Sequence, residues 1–103
     1  MFYQQGDVLL RKVSSIPSGA VKENKKCRIV LAEGETTGHA HAIADIDSVD
    51  TFIAGNDRFL EVKKETVLNH EEHNAICVSA GLYKIGIVQE YDHFVEEARN
   101  VQD

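Results

Sequence analysis

Residues 49–64 read VDTFIAGNDRFLEVKK, and this stretch decides the fold class. β-Branched and aromatic side chains recur in two short runs, 49–54 and 59–64, and such side chains pack well on the pleated, half-buried surface of a strand. Between the runs, Gly55, Asn56 and Asp57 are residue types that tight turns require. The stretch therefore predicts two short strands separated by a turn.

The same succession of short apolar runs and turn residues continues along most of the chain. Further strands are predicted over 7–13, 27–32, 39–44, 66–69, 75–79 and 82–90, and the lysine-rich residues 21–26 are predicted to be a surface connection. Eight short strands in 103 residues predict a mainly β single domain over 1–103. A small β-sandwich or a partly open barrel fits this pattern, and we favour a jelly-roll or cupin-like form.

The end of the chain departs from the β pattern. Asp92 is a suitable N-cap, and Phe94, Ala98 and Val101 recur at helical spacing, which predicts a short helix over 92–101. Because so short a helix is marginal alone in water, its apolar stripe must dock on its own sheet or on another chain.

Charge and hydropathy exclude several classes of partner. Eleven Lys and Arg against seventeen Asp and Glu give a net charge of -6, the wrong sign for binding a phosphate backbone, so no nucleic acid is expected. The chain has no apolar run near the roughly 18 residues that a membrane helix needs. The first residues lack the basic and then apolar order of a signal peptide, and we expect a cytoplasmic protein.

The two cysteines, Cys27 and Cys77, both lie in apolar stretches and do not form a closely spaced pair. This placement favours two small buried thiols over a disulfide or a cysteine-based zinc site.

Four of the five histidines fall into two close pairs, in residues 37–43 (TGHAHAI) and 68–76 (LNHEEHNAI). On a strand, His39 and His41 would project from the same face about 7 Å apart, because side chains two residues apart share a face. His70 and His73 are three apart, which excludes the metalloprotease helix motif, where the two histidines are four apart. Two such pairs predict imidazole ligands for a metal ion.

Carboxylates beside both pairs extend the candidate ligand set. Glu71 and Glu72 lie between His70 and His73, and Glu35 precedes the first pair; each could bind a metal or orient an imidazole. We predict a site for a divalent transition metal built from His39, His41, His70, His73, Glu35, Glu71 and Glu72. Imidazole and carboxylate ligands without thiolate suit zinc, iron(II), manganese or nickel. The alternative is structural: polar histidines on a half-exposed strand and a hydrogen-bonded turn.

The chain resembles a family of small, largely uncharacterised proteins of bacteria and bacteriophages. The resemblance rests on Gln5-Gly6-Asp7-Val8, on Leu31-Ala32-Glu33-Gly34-Glu35 with Thr37-Gly38-His39-Ala40-His41, on Leu68 with His70-Glu71-Glu72-His73, and on Gly81-Leu82-Tyr83 and Gln89-Glu90-Tyr91. It covers most of the chain and implies one compact domain without naming a reaction. A bacteriophage connection implies a virion, assembly or host-interaction role, in the host cytoplasm or the virion.

Three functions remain open from the sequence. The first is a small metal-binding β domain, for which enzymatic activity has no support. The second is a non-enzymatic homo-oligomer or partner-binding protein that associates through a sheet edge or the C-terminal helix. The third is a small cupin-like, metal-dependent enzyme, which needs an enclosed pocket beside the ion. The sequence has no phosphate loop and no dinucleotide fingerprint, so the identity of any small-molecule ligand is unknown.

Overall fold

The computed structural model describes residues 2–25, 27–33 and 39–87. Within these ranges the chain forms ten β-strands and a single turn of 3-10 helix, Ile46–Ser48. The strands are β1 (Phe2–Gln5), β2 (Val8–Val13), β3 (Val21–Lys22), β4 (Ile29–Glu33), β5 (Ala40–Ile43), β6 (Val49–Ala54), β7 (Asp57–Val62), β8 (Thr66–Leu68), β9 (Ile76–Val78) and β10 (Gly81–Ile87). The mainly β prediction is therefore confirmed.

Six strands form the larger sheet, in the order β1-β2-β10-β7-β6-β3. All neighbours in it are antiparallel. The predicted turn at Gly55 joins β6 to β7 as a hairpin in which Ala54 pairs with Asp57, and Gly55 has a positive φ of 64° that suits glycine. Because the edge strands β1 and β3 do not pair with each other in the described part of the chain, this sheet is not a closed barrel.

A second group of strands carries the histidines. β4 pairs with β5, and β8 pairs with β9, both antiparallel. One bridge joins the two ladders: the Ala42 amide donates to the Asn69 carbonyl at 2.9 Å, and the Asn69 amide donates to the Ala42 carbonyl at 2.8 Å. The bridge sets β5 beside the end of β8, so residues on either side of Ala42 come close to residues after Asn69.

A common hydrophobic core draws on both groups of strands. Along β2, Val8 and Leu10 are fully buried and Leu9 between them is half-buried, which is the alternation expected of a strand with one face on the core. The buried core residues are Val8, Leu10, Ile29, Leu31, Ile43, Val49, Leu60, Val62, Leu68, Val78 and Tyr83. Each buried side chain of this size contributes about 1.5–3 kcal/mol relative to leaving it exposed, so this core is the main source of stability.

Asp50 is a buried carboxylate at the edge of this core, only 4% exposed. Its oxygens lie 2.9 Å from the Lys63 Nζ, 3.0 Å from the Lys25 Nζ and 3.5 Å from the Lys22 Nζ. The contacts on Oδ1 are ion pairs without aligned hydrogen bonds. Burial alone would raise the pKa of Asp50, but the contacts with Lys63 and Lys25 and the charge of Lys22 outweigh burial and lower the pKa to about 2. Asp50 therefore stays ionised and links β6 to the segment before β4.

Two strands were not predicted from the sequence. Residues 21–26 were expected to be a surface connection, but Val21 and Lys22 form β3 by pairing with Ile53 and Phe52 of β6. A two-residue strand is too short to show an alternating pattern, so only its partner reveals it. β1 pairs with β2 across the two-residue loop Gly6-Asp7, and neither β1 nor this hairpin is among the predicted elements.

The prediction of buried thiols is wrong, because both cysteines are exposed. Cys27 lies before β4, which begins at Ile29 rather than at 27. Cys77 lies in β9 between a half-buried Ile76 and a fully buried Val78, so its side chain is on the outward face. Every residue over 75–78 is apolar, and the sequence therefore carried no sign of which face is buried.

Some predictions fall outside the described residues. β10 is described as far as Ile87, and the rest of the strand predicted over 82–90 and the helix predicted over 92–101 lie beyond that point. Among the residues that are described, none belongs to a helix whose length and apolarity would let it cross a bilayer.

The charges around Asp50 predict a pH dependence of stability. Because folding lowers the pKa of Asp50 from 3.8 to about 2, its stabilisation is fully present above pH 3.8 and is lost as the pH falls through about 2. Asp50→Asn should lower the free energy of unfolding at pH 7 by about 2 kcal/mol, the equivalent of that shift, and by much less at pH 2. Urea unfolding followed by circular dichroism measures both values.

Asp57→Asn is the matched control. Asp57 is 52% exposed and lies 3.7 Å from the Lys84 Nζ, an exposed ion pair that contributes little to stability. An equal decrease in the free energy of unfolding at pH 7 in Asp50→Asn and Asp57→Asn would contradict the role assigned to Asp50.

Candidate metal centre

The two histidine pairs meet in space. The Ala42–Asn69 bridge brings the strand that holds His41 beside the segment that holds His70 and His73. Ring centroids are 4.3 Å apart for His41 and His70, 4.7 Å for His70 and His73, 5.7 Å for His39 and His70, and 5.8 Å for His41 and His73. Two imidazoles bound to one tetrahedral ion have centroids about 5 Å apart, given nitrogen–metal distances of about 2.0–2.1 Å. The spacing of the rings therefore suits metal ligation.

His41 is held by the side chain of Gln5. The Gln5 Nε2 donates to the carbonyl oxygens of Leu68 and Asn74, both at 2.9 Å, which identifies this atom as the amide nitrogen. The Gln5 Oε1 must then accept the 2.8 Å hydrogen bond from the His41 Nδ1. The Nδ1 of His41 therefore carries the proton, and the Nε2 of the neutral ring carries a free lone pair. Metal-binding histidines characteristically have such a partner on the second nitrogen.

Asp7 faces the free nitrogen of His41. The Asp7 Oδ1 lies 3.4 Å from the His41 Nε2, and the Asp7 side chain is half exposed whereas His41 is 2% exposed. The pKa of His41 is lowered, chiefly because burial disfavours the imidazolium; His70 and His73 lower it further, and Asp7 opposes them. His41 is therefore neutral at neutral pH, which is the state that binds metals.

In His70 the nitrogen that accepts a hydrogen bond is Nδ1, the opposite of the arrangement in His41. The main-chain amide of Glu72 donates to the His70 Nδ1 at 3.0 Å, so the Nε2 carries the proton in the neutral ring. This contact is exposed and can exchange with water. A metal bound to the Nε2 of His70 requires the proton to move to Nδ1 and the contact with Glu72 to break.

Glu71 ties the second pair to the first. The Ala40 amide donates to the Glu71 Oε1 at 2.9 Å. This hydrogen bond lowers the pKa of the Glu71 carboxyl, and the nearby His39 and His70 contribute to the lowering. Glu71 is thus an ionised carboxylate beside two imidazoles, with further lone pairs available for a cation.

The absence of a side chain at Gly6 lets the rings of His41 and His73 pack against the loop between β1 and β2. Gly6 has a positive φ of 59° and occupies the loop between β1 and β2. A Cβ at this position would lie 2.6 Å from the His73 Nε2 and 3.1 Å from the His41 Cε1. Only glycine therefore combines this backbone conformation with this packing.

The predicted ligands fall into three groups. His39, His70 and Glu71 each offer a ligand atom within 4.8 Å of the other two. His41 and His73 join this group through ring contacts, and the Glu72 Oε2 lies 3.7 Å from the His39 Nδ1. Glu35 lies outside the described residues. The use of these side chains as metal ligands stays a prediction.

Sequence reasoning missed Gln5 and Asp7 as site residues. Both stand in Gln5-Gly6-Asp7-Val8, and a Gly-Asp pair is a two-residue hairpin signal, so a turn could have been predicted there. Nothing in the spacing of residues showed that the turn lies against the histidines, since it precedes His41 by more than thirty residues.

The chain belongs to the family described as Domain of unknown function (DUF8820), which matches residues 4–88. The matched span includes the Gly6 loop and both histidine pairs. The expectation of an uncharacterised family is thereby confirmed. No curated protein and no solved structure matches the chain.

The three hydrogen bonds of Gln5 predict a large loss of stability when this residue is replaced. Gln5→Leu would leave the carbonyls of Leu68 and Asn74 and the Nδ1 of His41 without this partner, and should lower the free energy of unfolding by about 3 kcal/mol. The neighbouring Gln4 makes one exposed hydrogen bond to the Gly6 carbonyl, so Gln4→Leu should change stability by less than about 0.5 kcal/mol. Chemical denaturation of the metal-free proteins measures both, and equal effects would contradict the role of Gln5.

Proposed function

We propose that this domain binds a divalent transition-metal ion through its histidine cluster. The observation that carries the proposal is the convergence of two histidine pairs, distant in sequence, at ring spacings of 4.3 to 5.8 Å. Polar rings gathered at one place gain little from hydrophobic burial, whereas a bound cation would give the rings that ligate it a favourable partner.

The ligand set that best supports one ion is His39, His70 and Glu71. Their ligand atoms lie within 4.8 Å of one another, and each side chain is half-buried or exposed, so an ion can enter from solvent. The carboxylate of Glu72 lies near His39 and is available as a further ligand. Imidazole and carboxylate without thiolate suit zinc, iron(II), manganese or nickel.

The proposal includes a β scaffold of jelly-roll or cupin-like form. Two groups of antiparallel strands around a common core support it. We place the protein in the cytoplasm, or in a virion if the chain is encoded by a bacteriophage.

Metal binding has more support than metal-dependent catalysis. Glu71 and Glu72 are exposed, so water can complete the coordination of an ion there. An enzyme also needs an enclosed pocket beside the ion. Glu71, Glu72 and His73 are all exposed, so this part of the cluster faces solvent.

Zinc titration of the metal-free protein tests the proposal. We expect zinc to bind and to raise Tm, because a ligand that binds only the folded state stabilises it. His39→Ala and His70→Ala should each weaken zinc binding by the set of His39, His70 and Glu71 by about 100-fold. Removal of a residue that only orients a ligand already weakens metal binding by up to about 100-fold, and these two variants remove a ligand itself. Isothermal titration calorimetry and thermal melting measure the two effects.

The control for these substitutions is Asn69→Ala. Asn69 adjoins His70 and its side chain is exposed, while its bridge to Ala42 uses only main-chain atoms. This variant should bind zinc as the wild type does. A wild-type protein that binds none of zinc, iron(II), manganese and nickel would contradict the proposal, as would unchanged zinc binding in both histidine variants.

A second candidate function is self-association through the edge strand β3. Val21 is 68% exposed on this edge and pairs with Ile53 of β6, which is 40% exposed. An open strand edge with an apolar surface is a site at which a second copy can add its own strand.

Light scattering after size-exclusion chromatography tests this function. The wild type should run as a dimer, and Val21→Lys should run as a monomer because a charge at the edge opposes pairing. Val67→Lys is the control, since Val67 is 41% exposed on β8, away from that edge. A monomeric wild type at high concentration would rule out this function.

A further inference from the structure

We propose that the cluster has a second metal position, between the His41 Nε2 and the Asp7 Oδ1. The inference rests on the proposed function, because it adds an ion to the one assigned to His39, His70 and Glu71. The two positions use different side chains, so both can be filled at once.

The first step of the argument is the direction of the His41 lone pair. The Gln5 amide nitrogen is committed to two carbonyl oxygens, and the Gln5 Oε1 takes the proton of the His41 Nδ1. The ring of His41 is 2% exposed and cannot turn over without breaking this network. The Nε2 therefore presents an acceptor lone pair in a fixed direction.

The second step is the distance to Asp7. An aspartate carboxylate is also an acceptor, so two acceptors face each other across 3.4 Å. A direct N–H···O hydrogen bond is usually about 2.7–3.2 Å long. Two ligands of a tetrahedral ion at about 2.0–2.1 Å from the metal lie about 3.3 Å apart. The observed separation thus fits a shared cation better than a shared proton.

His73 is a further imidazole beside this position, and a movement of its exposed side chain would bring it in as a third ligand. Its ring is nearly parallel to that of His41, with an interplanar angle of 18° and centroids 5.8 Å apart. The bare Cα of Gly6 lets the Nε2 of His73 lie against the loop that holds Asp7. Asp7 and His73 are both exposed, so an ion can reach His41 from solvent and keep water on its open side.

The two positions are compatible in charge and space. The His70 ring lies between the two sets, 4.3 Å from His41 and 5.7 Å from His39 by centroid distance. The carboxylates of Glu71 and Glu72 lie beside the first position and that of Asp7 beside the second. Three carboxylates thus oppose the charge of two divalent ions.

The test counts zinc per chain. Metal-free full-length protein is dialysed against a fixed concentration of free zinc, and bound zinc is measured by elemental mass spectrometry. We expect two zinc ions in the wild type, one in Asp7→Asn and one in His39→Ala. Asp57→Asn is the control, because Asp57 is also about half exposed beside a hairpin turn, and it should keep two.

A second pair of variants tests the position without changing a ligand. Gly6→Ala and Gly55→Ala both place a side chain at a positive φ, of 59° and 64°, and so share the same backbone strain. A Cβ at Gly55 meets nothing within 4 Å, whereas one at Gly6 would displace His73. Gly6→Ala should therefore lose the second zinc and Gly55→Ala should keep it, with circular dichroism checking that each variant is folded.

The outcomes separate this inference from the proposed function. A wild type that holds one zinc overturns the second position and leaves the proposed function standing. Two zinc ions retained in both Asp7→Asn and Gly6→Ala also overturn the second position. A wild type that holds no zinc, iron(II), manganese or nickel overturns both proposals together.

Discussion

The side-chain amide of Gln5 is the contact on which the histidine cluster depends. It extends from β1 to the carbonyls of Leu68 and Asn74, which flank the segment carrying the second histidine pair, and to the ring of His41 in the first. A single buried group thus orients one imidazole and fixes both ends of the segment that supplies the others. Because buried amide groups are costly to leave unpaired, the network specifies one arrangement rather than several.

The same strand makes a second connection close by. Tyr3, two residues before Gln5 on β1, exchanges a hydrogen bond with the Ser79 hydroxyl at 3.0 Å, and Ser79 also contacts the buried Tyr83 hydroxyl at 3.1 Å. Residues two apart on a strand share a face, so both side chains point toward the β8–β9 hairpin, Gln5 to Leu68 and Asn74 and Tyr3 to Ser79 just after β9. β1 therefore joins the six-stranded sheet to the strands that carry the candidate site. On the other side of that sheet, Asp50 of β6 makes a similar connection through ion pairs with Lys25 and Lys63.

The part of the fold that sequence could predict is the part governed by local pattern. The strand β6 begins and ends where it was predicted, because its turn residues and its apolar run leave little choice. Predictions failed where the residue pattern carries no information. β3 has only two residues, too few for an alternating pattern. Cys77 lies in a continuous apolar run, and which of its faces is exposed depends on the strands packed against it. The strand that pairs with such a segment determines whether it forms a strand and which face is buried, and a single sequence does not show which strands pair.

The candidate site divides in the same way. The sequence by itself determined the candidate ligands, since the two histidine pairs and the carboxylates beside them are present whatever the fold. Only the tertiary structure decided that the pairs meet, through the Ala42–Asn69 bridge, and that the distant loop of Gly6 and Asp7 closes over them. The physical reason is that residue types and spacing act locally, whereas the approach of one strand to another is set by the packing of the whole core and by buried hydrogen bonds.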